Sequence, residues 1–124
     1  MAPLPDDPEA ARTLEVVRQF HEHFNRHEVD ALMALMTDDC VFENTQPPPD
    51  GERHVGQAAV RACWERLFRD APAAHFAVEE LFAAGPRAVL RWRYSWGPGG
   101  HVRGVDIFLV RDGLVAEKLS YVKG

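Results

Sequence analysis

The sequence predicts an α+β domain in which N-terminal helices pack on one face of a curved antiparallel sheet. Apolar residues recur at helical spacing in the N-terminal half, first over Leu14, Val17, Phe20, His21 and Phe24, then over Val60, Cys63, Trp64, Leu67 and Phe68. After Ala71-Pro72 the pattern changes to four strand-like runs. Short glycine-containing turns separate these runs, and such turns join antiparallel neighbours. A chain of 124 residues with 46% hydrophobic content forms one domain with its own core. That domain spans 1–124, with residues 1–7 expected as a flexible tail.

Asp7-Pro8-Glu9 is a helix start: an Asp to accept first-turn amides, Pro at the first helical position, and an acid beside the positive helix end. This helix is predicted to end near Asn25, where Asn25-Arg26-His27 breaks the pattern. A second, shorter helix carries Val29, Leu32, Met33 and Met36 on one side and ends at Thr37-Asp38-Asp39. Cys40 to Asn44 reads as a first strand. Thr45 to Arg53 holds Pro47-Pro48-Pro49 and Asp50-Gly51 and is predicted to be a loop, closed by Gly56. A third helix starts at Gln57. The four strands follow at His75–Ala83, Arg87–Trp96, His101–Arg111 and Leu114–Val122. In the second of them Trp92, Tyr94 and Trp96 alternate with Arg91, Arg93 and Ser95, so one face meets the helices and the other meets solvent or a second subunit.

Composition excludes several classes of function. A net charge of -5 lacks the basic excess that binds nucleic acid or an anionic membrane. No apolar run approaches the roughly 18–20 residues of a membrane span. The N-terminus lacks the basic start and apolar core of a secretory signal, which predicts a cytoplasmic protein. Cys40 and Cys63 lie in apolar surroundings and read as buried, reduced thiols. His21 and His23 point to opposite sides of a helix, and His27 lies past its end, so no metal site is predicted.

The residue that demands an explanation is Asp106, between Val105 and Ile107 in the third of the four strands. A carboxylate buried in a strand costs several kcal/mol unless it is paired, hydrogen-bonded or protonated. Its neighbours depend on the register of the hairpin around Asp112-Gly113. A two-residue turn sets Asp106 opposite Leu119 with Tyr121 on its face; a three-residue turn with a bulge at Gly113 sets it opposite Lys118, with Lys118 and Ser120 on its face. The sequence leaves both open. In the second register Lys118 is the ion-pair partner that keeps Asp106 charged.

The order helix, helix, strand, Pro-rich loop, helix and four-strand meander resembles the superfamily of nuclear transport factor two, ketosteroid isomerase and the SnoaL-like polyketide cyclases. The resemblance runs from about Pro8 to the end and is carried by Met36-Thr37-Asp38-Asp39, Cys40 to Asn44, the loop ending at Gly56, and Gly104 to Phe108 with Asp112-Gly113. It implies a cystatin-like, cone-shaped fold with a pocket between sheet and helices, and commonly a homodimer through the outer sheet face. The outer-face set Arg91, Arg93 and Arg103 is more polar than an obligate interface usually is.

In ketosteroid isomerases the base is an Asp at the end of the first strand, and the matching residue is Asn44, which takes no proton at neutral pH. The Tyr of their oxyanion hole matches Phe20 and its partner Asp matches Asp106, so the usual isomerase route is incomplete. The Asp-Arg-Asp set of limonene-type epoxide hydrolases is incomplete too, because Ser120 precedes Tyr121. The SnoaL-like cyclases ask least: one pocket Asp as acid/base, met by Asp106, with Asn44 donating to the enolate oxygen. Phe20, Phe24, Trp64, Trp92, Tyr94 and Phe108 are core residues from which an apolar wall is built, and Lys118 and Ser120 complete the expected substrate contacts. The expected function is cofactor-free acid/base chemistry on a small apolar, enolisable molecule. The alternatives are a non-catalytic small-molecule binder or dimeric interaction module, and an epoxide hydrolase with a rearranged site for which Glu43 is the only nearby second carboxylate.

Overall fold

The computed structural model describes residues 7–97 and 99–123, apart from the side chain of Trp96. Of the tail predicted at 1–7, residues 1–6 lie outside the described residues, as do the place of Trp96 in the aromatic alternation and Pro98 in its turn; Asp7 is not tail but the N-cap of the first helix. The elements are α1 (Pro8–Asn25), α2 (Val29–Ala34), β1 (Met36–Glu43), β2 (Arg53–Val55), α3 (Gln57–Asp70), β3 (Phe76–Ala84), β4 (Arg87–Gly97), β5 (Gly100–Arg111) and β6 (Leu114–Val122). The strands form one six-stranded sheet in the order β2-β1-β6-β5-β4-β3. β3 to β6 are the predicted antiparallel meander, while β1 runs parallel to β6, so the sheet is mixed.

α1 is fastened to the sheet at both ends. Asp7 accepts from the Ala10 amide at 2.9 Å as N-cap, and its second oxygen accepts from the Gly85 amide at 3.2 Å. Thr13 Oγ1 donates to the Gly85 carbonyl at 2.7 Å. At the far end Asn25 Nδ2 donates to the Phe76 carbonyl at 3.0 Å, and Asn25 Oδ1 accepts from the Phe76 amide at 2.9 Å. Between these anchors Leu14, Val17, Phe20 and Phe24 are buried against the sheet. Phe20 is fully buried, meeting Phe108 of β5 edge-on with ring centroids 5.9 Å apart.

Three elements differ from the sequence reading. α2 ends at Ala34 rather than Met36, and Met36 already pairs with Val115 of β6. The Gln57 side-chain Nε2 donates to the carbonyls of Met33, Met36 and Thr37 at 3.1–3.2 Å, satisfying one acceptor that the helix end exposes and two at the start of β1. The predicted loop before Gly56 contains a short strand, β2, paired antiparallel with Val41 to Glu43. It lacks the alternation that marks a half-buried strand because it is an edge strand in which only His54 is partly covered.

The hairpin adopts neither register expected from the sequence. The turn has two residues, with Arg111 opposite Leu114, but Val110 pairs with Val115 and Leu109 with Glu117. Ala116 is therefore an extra residue in β6, and Asp106 lies opposite Ser120. The bulge turns Val115 and Ala116 both inward, a gain of two buried apolar side chains. Beyond it the alternation is reset, so Lys118 and Ser120 point to the helices and Tyr121 points outward.

Candidate functional site

Across the inner face Leu90, Asp106 and Ser120 form one row, and Phe108, Lys118 and Phe42 form the row below it. The helices do not fill the space above these rows. A cavity of about 250 Å³ remains, lined by Phe24, Trp64, Leu67, Phe76, Trp92 and Tyr94 among the apolar and aromatic residues. Its polar lining is His21, Asn44, Thr45, Asp106, Lys118 and Ser120, together with the thiol of Cys63.

Asp106 and Lys118 are 4% and 5% exposed, so both charges are withdrawn from water. Lys118 Nζ lies 3.2 Å from Asp106 Oδ2. Ser120 Oγ donates to Asp106 Oδ1 at 2.6 Å, a short contact of the kind an ionised acceptor gives. The ammonium also stands 5.0, 4.8 and 5.3 Å from the ring centroids of Phe24, Phe42 and Trp64. A carboxylate partner and three aromatic faces offset its desolvation.

Asn44 sits where β1 ends, at the rim of the cavity. Its Oδ1 accepts from the Thr45 amide at 2.7 Å, which leaves its side-chain NH2 as a donor. The backbone holds this rim tightly: a Cβ on Gly51 would stand 1.7 Å from the Asn44 carbonyl oxygen, and Gly51 has φ +77°. Only glycine fits there. Trp64 and Trp92 also line the cavity, and their indole N–H groups are buried without an acceptor among the described residues.

Of the residues the sequence singled out, Asp106, Asn44, Phe24, Trp64, Trp92, Tyr94, Lys118 and Ser120 line this one cavity. Phe20 and Phe108 do not. Both are fully buried behind the wall, where they pack on each other and hold up the aromatic layer. Glu43 pairs with Arg53 at 2.6 Å on the outer side of β1, away from the cavity. Arg103, of the outer-face set, binds Glu79 at 3.1 Å. Cys40 and Cys63 are buried and free, and burial raises both thiols above their ordinary pKa, so they persist as thiols. Among the described residues no three His, Cys, Asp or Glu side chains are placed to hold a metal ion, and no helix is long and apolar enough to cross a membrane.

Two polar lining residues are absent from the candidates that the sequence offers for the site, Thr45 at the rim and His21 on α1. His21 is the one that can move a proton. His21 is buried, and its Nε2 lies 2.7 Å from the Phe76 carbonyl oxygen. Burial holds its pKa below the ordinary value, helped by the Lys118 ammonium and His75, while the Phe76 carbonyl and Asp106 pull the other way. The signal was present in the sequence, since His21 interrupts an otherwise apolar inward stripe.

Comparison with known proteins places this geometry in context. The family model for the SnoaL-like domain matches residues 17–118. No curated protein matches the sequence. A solved NTF2-like protein of unknown function from Mesorhizobium loti is similar at 42% identity and a TM-score of 0.87, with 100% of each chain covered. A Kribbella flavida protein provisionally assigned as a ketosteroid isomerase shares 24% identity at a TM-score of 0.79, covering 94% of this chain and 81% of its own. A Sinorhizobium meliloti protein provisionally assigned as a polyketide cyclase shares 23% identity at a TM-score of 0.75, with 86% and 94% covered. These last two are similar in fold.

Proposed function

Because the chain belongs to the SnoaL-like domain family, we propose that it is a small-molecule enzyme performing cofactor-free acid/base chemistry on an apolar, enolisable substrate through Asp106. The observation that carries this reading is the buried Asp106–Lys118 pair at the wall of an aromatic-lined cavity. Structural stability alone gives little reason to keep such a pair, because an apolar pair of similar volume is often as stable or more so. A cavity of about 250 Å³ falls just below the usual range of roughly 300–1,000 Å³ for ligand sites, so the substrate is small.

In this reading Asp106 takes a proton from carbon beside a carbonyl group. The C–H electron pair moves toward the carbonyl oxygen, and the enolate charge develops within reach of the Lys118 ammonium and the Asn44 amide. Return of the proton to the same or another carbon completes an isomerisation, or precedes loss or closure of a bond in a lyase or cyclase. A non-catalytic binder is the second reading, supported by the engagement of both Asp106 oxygens.

The outer sheet face supports a homodimer. Phe82, Val89, Ile107 and Leu119 form an apolar row across four strands. Arg91 and Arg103 flank it and are neutralised by Glu80 and Glu79, which lowers the polarity that their sequence positions suggest.

Deuterium incorporation into 2-tetralone, a small apolar ketone with acidic C–H groups, tests the acid/base reading by NMR in D2O. The wild-type protein should accelerate exchange, and Asp106→Asn should remove about 100-fold or more of that acceleration. Equal rates with a folded Asp106→Asn protein rule out the role of Asp106.

A further inference from the structure

We propose that His21 is a second proton-transfer residue of this cavity, presenting Nδ1 to the acidic O–H or C–H of the bound molecule from the α1 side. The inference rests on the acid/base reading above and adds a second base to it.

The hydrogen bonds fix which nitrogen carries the proton. Nε2 lies 2.7 Å from the Phe76 carbonyl oxygen, a contact that requires an N–H on Nε2, since two acceptors repel at that distance. Asn25 Nδ2 is 3.2 Å from the same nitrogen, but its hydrogens are directed to the Phe76 carbonyl at 3.0 Å, and Nε2 has no lone pair left to accept. Nδ1 is thus the basic nitrogen of the neutral ring. It has no protein partner among the described residues and is not among the buried polar atoms sealed without one. The ring lines the cavity that Asp106 and Lys118 line.

The supports are rigid. The Phe76 peptide that receives Nε2–H is itself clamped on both sides by Asn25, whose Oδ1 accepts from the Phe76 amide at 2.9 Å. A base held in one tautomer by a backbone carbonyl is the arrangement that proton transfer asks for. In the step, Nδ1 accepts the substrate proton and becomes imidazolium. The C–H pair enters the enolate, whose oxygen faces Lys118, and the proton returns to carbon from Nδ1 or from Asp106. With one base on α1 and another on β5, a proton can leave one carbon and be delivered to a different one, which suits a substrate whose double bond moves.

The test uses 4-nitrophenol, an apolar ring with an acidic O–H that stands for an enol. In ¹⁵N-labelled wild-type protein, His21 Nδ1 should resonate as an unprotonated nitrogen and should shift when the protein is saturated with 4-nitrophenol. His21→Gln keeps an N–H for the Phe76 carbonyl but removes the base. It should keep its melting temperature and bind 4-nitrophenol about five- to tenfold more weakly, the worth of one hydrogen bond. His21→Phe, which removes both, should lower affinity and melting temperature together. A proton on Nδ1 in the free protein, an unmoved Nδ1 resonance with the phenol bound, or equal affinity of His21→Gln overturns the inference and leaves the Asp106 reading standing. Failure of 4-nitrophenol to bind the wild-type protein overturns the cavity reading and this inference with it.

Discussion

Removing Lys118 as Lys118→Met leaves the Asp106 carboxylate in an apolar cavity wall with Ser120 as its remaining partner. Breaking a buried pair from one side typically costs about 3–5 kcal/mol. A charge-assisted hydrogen bond of about 1.5–3 kcal/mol from Ser120 persists and places this variant near the lower end, about 3 kcal/mol. Asp106→Leu leaves the ammonium over the rings of Phe24, Phe42 and Trp64. Those contacts are each worth about 0.5–2 kcal/mol, but the variant also deprives the Ser120 hydroxyl of its acceptor, so a similar loss of about 3 kcal/mol is expected. The double variant has no charge to strand and should be within about 1 kcal/mol of wild type or more stable. The two sites therefore couple by about 5 kcal/mol or more. Urea unfolding followed by tryptophan fluorescence measures this cycle, with an unchanged m-value as the check that the unfolded state is unaltered. Single variants that each lose less than about 1 kcal/mol and add in the double refute a coupled, desolvated pair. A stable double variant that no longer exchanges deuterium into 2-tetralone would identify the pair as kept for chemistry.

Three further outcomes are expected. A Cβ on Gly104 would stand 2.5 Å from Trp92 Cζ2 and 2.7 Å from the Tyr121 carbonyl oxygen; Gly104→Ala should cost about 1–3 kcal/mol in urea unfolding and weaken 4-nitrophenol binding, and a neutral result contradicts the close packing of the cavity wall. His21 has a folded pKa below the ordinary histidine value of 6.5, because burial opposes its charge with Lys118 and His75 adding to it against the Phe76 carbonyl and Asp106. Its contribution to stability is therefore complete above 6.5 and is lost as pH falls from there toward the folded pKa, so melting temperature should drop on acidification more steeply in wild type than in His21→Gln. On the outer face, Ile107→Lys should convert a dimer to a monomer in sedimentation, while a wild-type protein that is monomeric at high micromolar concentration excludes the interface.

Asp106 was legible in the sequence because a carboxylate between Val105 and Ile107 has few tolerable environments. Lys118 and Ser120 were one of two neighbour sets open to it, and the choice between the sets was not legible because it depends on Ala116. Nothing in Leu114-Val115-Ala116-Glu117 marks one residue as supernumerary; the bulge arises from burying both Val115 and Ala116 against the helices, a tertiary preference. The apolar stripe of α1 was read correctly, yet the role of His21 depends on a carbonyl 55 residues away. Distance in sequence also hid the end of α2, where Gln57 of α3 caps the carbonyl of Met33, 24 residues before it. Phe20 and Phe108 share the inward periodicity of Phe24 and Trp92, so the sequence does not separate them from the wall. Whether an inward aromatic lies in front of the cavity or behind it depends on the depth of its row in the sheet, which periodicity does not encode.

The fastening of α1 has a kinetic consequence. Five hydrogen bonds join it to the Gly85 and Phe76 peptides at opposite ends of β3, so the helix cannot swing aside without breaking one of these anchors. The cavity's other rim, at Asn44, Thr45 and Val122, adjoins an outer recess that includes Pro49, Asp50 and Tyr121. Under the small-molecule reading, substitutions in the loop after β1 should alter how fast a ligand leaves, whereas loss of the α1 anchors Thr13 or Asn25, which do not line the cavity, should loosen the fold.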